Sequence, residues 1–139
     1  MLLNKYLIDT SIWVDLYENR IDYLGKPLGD FAFKLFCMIK AKGDKIVITD
    51  LTIRELEMNY SISEINGMMK LFEQIIEKFI CSEQQRDEAK DIALQRNIPK
   101  GDALHAILAR DNNYILITRD NHFRKLKDIC PHYKPEDII

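Results

Sequence analysis

Four short apolar runs constrain the fold more than any other feature of this chain. They cover residues 6–8, 46–49, 79–81 and 115–118, and the second and fourth runs are rich in β-branched side chains. None of them alternates regularly between apolar and polar residues. Continuous runs of this kind are typical of central strands in a parallel sheet, because helices cover both faces of such a sheet. The runs therefore predict a sheet that is buried on both sides.

Helical patterns fill the intervals between these runs. Apolar residues recur every three or four positions along residues 65–79, and Ser61 or Ser63 is a suitable N-terminal cap for that helix. Further helices are predicted over residues 28–42, ending before Gly43, and over residues 83–95 and 101–111. Strands that alternate with helices predict right-handed crossovers. We expect an α/β fold, a three-layer α/β/α sandwich with a central parallel sheet of four or five strands, the fifth at residues 132–134.

The residue composition is that of one soluble globular domain. The 139 residues are 47% hydrophobic, which suits a single domain over residues 1–139, and there is no internal repeat. The 20 basic and 22 acidic residues nearly cancel, so net charge does not argue for nucleic-acid binding. Cys37, Cys81 and Cys130 lack CxxC spacing, which argues against a disulfide framework and a thiolate metal site. Neither a signal peptide nor a membrane span is recognisable, so we expect a cytoplasmic protein.

Four acidic residues occupy positions where they can meet. Asp9 and Asp120 each follow a predicted strand, and the carboxyl ends of parallel strands share one edge of the sheet. Glu55 lies on the helical turn after the second strand, and Asp102 lies in the first turn of the helix before the fourth. Taken singly, an acid at a helix start or in a turn is an ordinary feature. Together, the four positions predict an acidic cleft.

Crowded carboxylates predict a metal ion. Like charges in a partly desolvated cleft raise one another's pKa values unless a cation lies among them. The available ligand atoms are oxygens, from the carboxylates and from Thr10, Ser11 and Thr118, which favours Mg²⁺, or else Mn²⁺, over zinc. Such an ion activates water and stabilises negative charge on a phosphate during its transfer. The residues therefore indicate hydrolysis of phosphodiester bonds.

The order and spacing of these residues resemble the PIN-domain ribonuclease family, which includes the VapC-like toxins of VapBC toxin–antitoxin pairs. The resemblance covers nearly the whole chain. It rests on Asp9-Thr10-Ser11 after the first strand, Glu55 in LTIREL, Asp102 in GDALHAILA, and Thr118-Arg119-Asp120 in ILITRDNHF. Each motif is common by itself, and the four in this order on a βα frame are much more specific.

This resemblance implies catalytic residues, a cofactor and partners. The metal-binding and catalytic acids would be Asp9, Glu55, Asp102 and Asp120, with Ser11 and Thr118 as hydroxyls that support the ligands or orient water. The resemblance further implies a Mg²⁺-dependent endoribonuclease that acts on RNA and forms a homodimer. It also implies the toxin of a type II pair, silenced by an antitoxin. We expect a segment of that antitoxin to fill an apolar groove near residues 31–39 and 65–76.

Residues beside the four acids have less specific interpretations. Many relatives carry another acid two positions after the one that matches Asp120, whereas this chain has His122, which leaves the number of metal ions open. His105 follows Asp102 by three positions and could support the metal ligands from behind, but a packed or exposed histidine is the favoured expectation, and it is left out of the metal set. Asp15 is expected to be a surface charge. Five basic residues flank the acids and are either solvated or bind RNA phosphates: Lys100, Arg119, Arg124, Lys125 and Lys127.

Other functions are compatible with the same acids. The first alternative is a non-catalytic PIN-like module that binds RNA or protein and holds a structural ion; the second is an RNA-processing nuclease that is not a toxin. A DNA-directed nuclease is less favoured, because the larger DNA-cutting relatives carry additional acids. A haloacid-dehalogenase phosphatase would need a second aspartate where Ser11 stands. A response-regulator receiver would need an acidic pair at the end of the first strand and a lysine after a later strand, but Tyr6 to Ser11 lacks the pair and Thr118-Arg119-Asp120 lacks the lysine.

Overall fold

Five parallel strands form the middle layer of the protein. The structure, a computed structural model, describes residues 3–139. The strands are β1 (Lys5–Ile8), β2 (Lys45–Thr49), β3 (Ile76–Phe79), β4 (Ile115–Ile117) and β5 (His132–Tyr133), in the spatial order β3-β2-β1-β4-β5. Every neighbouring pair is parallel. The predicted α/β fold with a central parallel sheet is confirmed, and β1 lies at the centre of that sheet.

Helices cover both faces of the sheet. They are α1 (Thr10–Glu18), α2 (Leu28–Ala41), α3 (Asp50–Glu57), α4 (Ile62–Lys70), α5 (Glu83–Arg96) and α6 (Lys100–Asn112). Helices α1 to α4 contribute to one buried cluster, which includes Trp13, Phe36 and Met68. Helices α5 and α6 contribute to the other, with Ala89 and Ile107. The three layers therefore enclose two cores, one on each side of the strands.

The inner strands β1, β2 and β4 supply both cores because successive side chains point to opposite faces. In β1, Tyr6 and Ile8 enter the first core and Leu7 enters the second. In β2, Ile48 enters the first core and Val47 the second. A strand with two buried faces needs apolar residues at consecutive positions, which explains why these runs do not alternate with polar residues.

Local sequence signals define several helix ends. Ser61 caps α4 and Ser82 caps α5, each in a reciprocal capping box with the residue three positions later. Helix α2 ends at Ala41, and Gly43 follows with φ of 73°, a conformation that glycine adopts without steric cost. The polar residues between the apolar runs thus determine where these helices begin and end.

The prediction of one helix over residues 65–79 is wrong in its second half. Helix α4 ends at Lys70, a 3-10 turn covers Glu73–Ile75, and Ile76–Phe79 form β3, so the third strand lies before the predicted run at residues 79–81. The spacing of apolar residues fits a helix here, but backbone pairing with β2 outweighs it, in the register Ile46↔Ile76 to Thr49↔Phe79.

A buried charge cluster ties the C-terminal segment to the sheet. The guanidinium of Arg119 donates two hydrogen bonds to Glu136, of 2.7 and 2.9 Å, and its Nε lies 3.3 Å from Asp15 Oδ2. Lys26 Nζ lies 2.7 Å from the same Glu136. Asp15 is 3% exposed, so its prediction as a surface charge is wrong, and burial raises its pKa. Arg119 is neutralised here and is not placed to bind a phosphate.

The three cysteines are free, as their spacing predicts. Cys81 and Cys130 are buried and Cys37 is exposed. Burial raises the pKa of Cys81 to about 12, so its thiol stays protonated. Within residues 3–139, no helix combines the length and the apolar character that crossing a membrane requires.

Candidate metal centre

The candidate site lies where the central strands end. Asp9 directly follows β1 and begins α1, and Thr118 and Asp120 follow β4. Asp102 stands in the first turn of α6, which packs on the second face of the sheet. Parallel pairing of β1 with β4 places their carboxyl ends side by side, in the register Ile8↔Ile117. The fold therefore brings together residues that are more than ninety positions apart in the chain.

Two of the predicted acids meet at a histidine. His122 Nδ1 lies 3.1 Å from Asp102 Oδ2 and 2.9 Å from Asp120 Oδ1. One possible ligand atom from each of these three residues lies within 4.8 Å of the other two. The backbone N–H of His122 also donates to Asp120 Oδ1 at 2.9 Å. We refer to Asp102, Asp120 and His122 as the acid–histidine cluster.

The electrostatics of this cluster favour a cation. Burial raises the pKa of Asp102, and the negative charges of Asp120 and Asp9 raise it further, to about 6, against the opposing effect of His122. Burial is the largest cause of this shift, and the two neighbouring carboxylates add an excess of negative charge. A divalent ion would relieve that excess, and carboxylate oxygens with an imidazole nitrogen are suitable ligands for one. The residues present therefore fit a divalent metal.

Asp9 is held in one orientation by three donors. Its Oδ1 accepts a hydrogen bond from His105 Nδ1 at 3.2 Å, and its Oδ2 accepts from Thr118 Oγ1 at 2.9 Å and from Ser11 Oγ at 3.1 Å. Burial raises the pKa of Asp9, but the hydrogen bonds, that of His105 first among them, outweigh this effect and lower the pKa. Asp9 is thus a buried carboxylate that keeps its charge.

His105 lies in the candidate site, although the sequence favoured a packed or exposed histidine over a residue that supports the ligands. It is 1% exposed, and its Nε2 lies 2.9 Å from Thr49 Oγ1 while its Nδ1 faces Asp9. Because a carboxylate only accepts hydrogen bonds, the proton on Nδ1 points at Asp9. Its burial agrees with the favoured packed histidine, and its contact with Asp9 agrees with the alternative of a residue that supports the ligands. Its position one helical turn after Asp102 was the signal that pointed to the site.

Glu55 lies apart from the acid–histidine cluster. Its Oε1 accepts from Thr10 Oγ1 at 2.8 Å, and that hydroxyl lies 3.1 Å from Thr52 Oγ1. The neighbouring Glu57 is exposed. Glu55 is therefore connected to the start of α1, beside Asp9, and it is not among the ligand atoms that lie within 4.8 Å of one another.

The surroundings of the acids are open and partly basic. A hollow of about 510 Å³ begins at Ser11 and is lined further along by Glu18, Arg20 and Tyr60. Of the five flanking basic residues, Arg119 is partly buried. The other four are exposed: Lys100, Arg124, Lys125 and Lys127. Within residues 3–139, none of these four forms an ion pair, so their charges face solvent around the cleft.

Comparisons with known proteins agree with this architecture. No curated protein matches the chain. A toxin–antitoxin complex from Klebsiella pneumoniae aligns with a TM-score of 0.65 at 17% identity, over 94% of this chain and 97% of the other. PAE2754 from Pyrobaculum aerophilum aligns with a TM-score of 0.60 at 18% identity, over 97% and 86%. VapBC2 from Rickettsia felis, bound to a DNA fragment from its promoter, aligns with a TM-score of 0.63 at 19% identity, over 87% and 92%.

At these identities, the likeness to solved structures concerns the fold. The sequence itself is matched by a family model described as the PIN domain, over residues 6–129. That range includes all four predicted acids together with Ser11, Thr118, His105 and His122. Because the match extends over most of the chain, from β1 to the segment after β4, the protein belongs to the PIN-domain family.

Proposed function

We propose that this protein is a metal-dependent endoribonuclease and the toxin of a type II toxin–antitoxin pair. The observation that carries the proposal is the convergence of Asp9, Asp102 and Asp120 at one edge of the sheet, where burial and then the charges of Asp120 and Asp9 raise the pKa of Asp102 to about 6. Membership of the PIN-domain family supports nuclease chemistry. RNA as the substrate rests on the resemblance of the four acidic motifs to PIN-domain ribonucleases.

The protein would contribute to such a reaction by holding a metal ion with its carboxylates and by positioning the substrate. Asp9, Asp102 and Asp120 would hold Mg²⁺, or Mn²⁺, and Glu55 would act from the other side of the cleft. The ion, when bound, supplies an activated water and stabilises negative charge on the phosphate. Hydrogen bonds from Thr118 and Ser11 keep the carboxylate of Asp9 ionised and in one orientation.

Basic residues around the cleft would position the RNA. Lys100 begins α6, two residues before Asp102, and Arg124 and Lys125 lie on the turn that follows Asp120. Contacts of this kind with phosphates fix the register of a nucleic acid and do not read its sequence. These basic residues would therefore hold the backbone of the RNA near the acids.

The nuclease assignment is tested with labelled RNA, Mg²⁺ and the purified chain. Asp9→Asn and Asp102→Asn each remove one carboxylate charge, and we expect cleavage to fall by about a hundredfold or more. Glu55→Gln should impair cleavage as well, while Glu57→Gln, two residues along the same helix and exposed, serves as its matched control. Cleavage that survives in the Asp9 and Asp102 variants would contradict the site. Single-stranded DNA as a parallel substrate tests the preference for RNA.

An antitoxin is proposed as the protein partner. Two of the similar structures are described as a toxin–antitoxin complex and as VapBC2. The apolar groove expected near residues 31–39 and 65–76 is largely filled, because these side chains are buried in the first core: Leu35, Phe36, Ile39, Ile65, Met68 and Phe72. Phe33 and Leu71 remain exposed on these two segments, and further exposed apolar side chains lie around the ends of α1, α3 and α4, at Tyr17, Met58 and Ile62. We expect an amphipathic antitoxin helix to cover them.

Direct measurements distinguish the two alternative functions from the proposed toxin. A non-catalytic PIN-like module with a structural ion would gain thermal stability from Mg²⁺ and show no cleavage. A small antitoxin-like reading frame beside the gene would distinguish a toxin from an RNA-processing nuclease. The expected homodimer stays a prediction, and sedimentation or light scattering of the purified chain tests it.

A further inference from the structure

We propose that His122 is a direct ligand of the metal ion and that its imidazole makes the site prefer Mn²⁺ over Mg²⁺. The inference rests on the proposed function only in that the acidic cleft binds a divalent ion. It adds a nitrogen ligand to a site whose other ligand atoms are oxygens. It also explains the use of a histidine two positions after Asp120.

The geometry of the acid–histidine cluster carries this inference. His122 Nδ1 lies 3.1 Å from an oxygen of Asp102 and 2.9 Å from an oxygen of Asp120. Adjacent ligands of an octahedral ion with bonds of about 2.1 Å are about 3 Å apart. The nitrogen therefore already lies at a ligand–ligand separation from each of the two oxygens, and all three residues offer ligand atoms within 4.8 Å of one another.

The backbone around His122 fixes this placement. Asp120 begins the 3-10 turn Asn121–Leu126, and its carboxylate accepts a hydrogen bond from the N–H of His122. Phe123 and Leu126 anchor the turn, since both are fully buried in the second core. The side chain of His122 is 51% exposed, so its ring is half in solvent while Nδ1 faces the carboxylates. The imidazole is thus presented to the cleft by a well-packed turn.

The other two histidines are not placed for this role. Both ring nitrogens of His105 are engaged within the protein, one by Asp9 and the other by Thr49. His132 lies on β5 and packs against Phe123, with ring centroids 5.9 Å apart. Of the three histidines in the sequence, only His122 directs a ring nitrogen at Asp102 and Asp120.

The chemistry of imidazole determines the preference between ions. Mg²⁺ is a hard ion that takes oxygen ligands and keeps several of its waters. Mn²⁺ also takes oxygen ligands but, as a first-row transition metal, it accepts an imidazole nitrogen more readily than Mg²⁺ does. Histidine also brings no negative charge to the site, unlike an acid at the same position. In a site with two or three carboxylates, one imidazole ligand therefore increases the affinity for Mn²⁺ more than the affinity for Mg²⁺.

Pulsed electron paramagnetic resonance of bound Mn²⁺ tests the proposal, because it detects a coordinated nitrogen directly. The full chain loaded with Mn²⁺ should show modulation from one imidazole nitrogen, and His122→Ala should remove it. The Mn²⁺ affinity of His122→Ala should fall by about tenfold, equivalent to about 1.4 kcal/mol, with a smaller change for Mg²⁺. His122→Asp should shift the preference towards Mg²⁺. His132→Ala, which retains His122, is the control and should keep the nitrogen signal.

Several results would overturn the role of His122. They are a wild-type chain that binds no Mn²⁺, bound Mn²⁺ without nitrogen modulation, or a nitrogen signal that persists in His122→Ala. RNA cleavage in Mg²⁺ by the same preparation separates this proposal from the proposed function. Cleavage without a nitrogen signal rejects only the histidine ligand, and a nitrogen signal without cleavage rejects only the nuclease.

Discussion

His105 shows how much one buried side chain can contribute to a charged site. It joins α6 to the end of β1 through Asp9 and to the end of β2 through Thr49. Asp9 depends on it, because the contact with His105 is the foremost of the interactions that keep the pKa of Asp9 low despite its burial. A carboxylate without such a donor would be buried with an uncompensated charge.

Replacing His105 by Ala should therefore destabilise the protein markedly. The variant loses the hydrogen bond to Asp9 and leaves a buried acceptor short of a donor, which costs about 1–3 kcal/mol. His132→Ala is the control, because its partly buried ring has one nitrogen, Nδ1, without a hydrogen-bond partner in the structure. Urea denaturation of both variants measures the difference. Equal losses of unfolding free energy would show that the contact between His105 and Asp9 contributes nothing.

At the scale of elements, the approach of α2 to the end of α1 depends on Gly29. A Cβ atom at this position would lie 2.5 Å from the Cα of Asn19 and 2.8 Å from the carbonyl oxygen of Asp15. Both neighbours are backbone atoms, which cannot move without shifting the end of α1. The small residue is thus required by packing between two helices that lie on the same face of the sheet.

The variant Gly29→Ala should lower the free energy of unfolding by about 1–3 kcal/mol, because α1 and α2 must move apart. Gly67→Ala is the matched control in another helix, α4, where an added Cβ meets no atom within 4 Å. That exchange should stabilise the protein by about 0.5–1 kcal/mol, since alanine is the better helix former. Thermal denaturation of the pair gives opposite signs if the packing argument holds, and the same sign if it does not.

For the whole molecule, the C-terminal segment is held by ionised groups rather than by a long strand. Strand β5 has two residues, and Glu136 follows it in a short 3-10 turn. Burial raises the pKa of Glu136, but hydrogen bonds from Arg119 and Lys26 outweigh that effect and lower it from 4.5 to about 2. Docking of this segment is therefore linked to pH.

The sign of this linkage follows from the direction of the shift. Because the folded pKa is below the unfolded one, the stabilisation is complete above about pH 4.5 and is lost as the pH falls towards about 2. Glu136→Gln should lower the free energy of unfolding by about 1.5–3 kcal/mol near pH 7, with the difference disappearing at about pH 2. Denaturation curves across this range measure it, and a difference that does not depend on pH would contradict the assignment.

An exposed ion pair provides the comparison. Glu88 and Arg110 are 2.8 Å apart, and their side chains are 42% and 37% exposed. Such pairs contribute at most about 1 kcal/mol in water. Glu88→Gln should therefore change the free energy of unfolding much less than Glu136→Gln does, although each substitution removes the carboxylate that is paired with an arginine.

The layered fold was predictable because its signals are local. Apolar runs located β1, β2 and β4, and serine caps with a terminal glycine marked the ends of helices. Helix α1 and most of α3 were not predicted as helices, since the residues after Asp9 and Asp50 mix β-branched and polar types. The position of β3 could not be read either, because Ile75, Ile76 and Phe79 fit a helical period as well as a strand.

The sequence by itself determined the alternation of strands and helices and the order of four acids at strand and helix ends, because each depends on neighbours within a few positions. Only the tertiary structure decided which residues meet. His105 contacts Asp9 across 96 positions, and His122 joins Asp102 across 20, while Glu55 lies apart. Asp15 is buried beside Arg119, which comes from a distant segment and also binds Glu136. Side-chain contacts between separate elements depend on how the layers pack, and no local pattern carries that information.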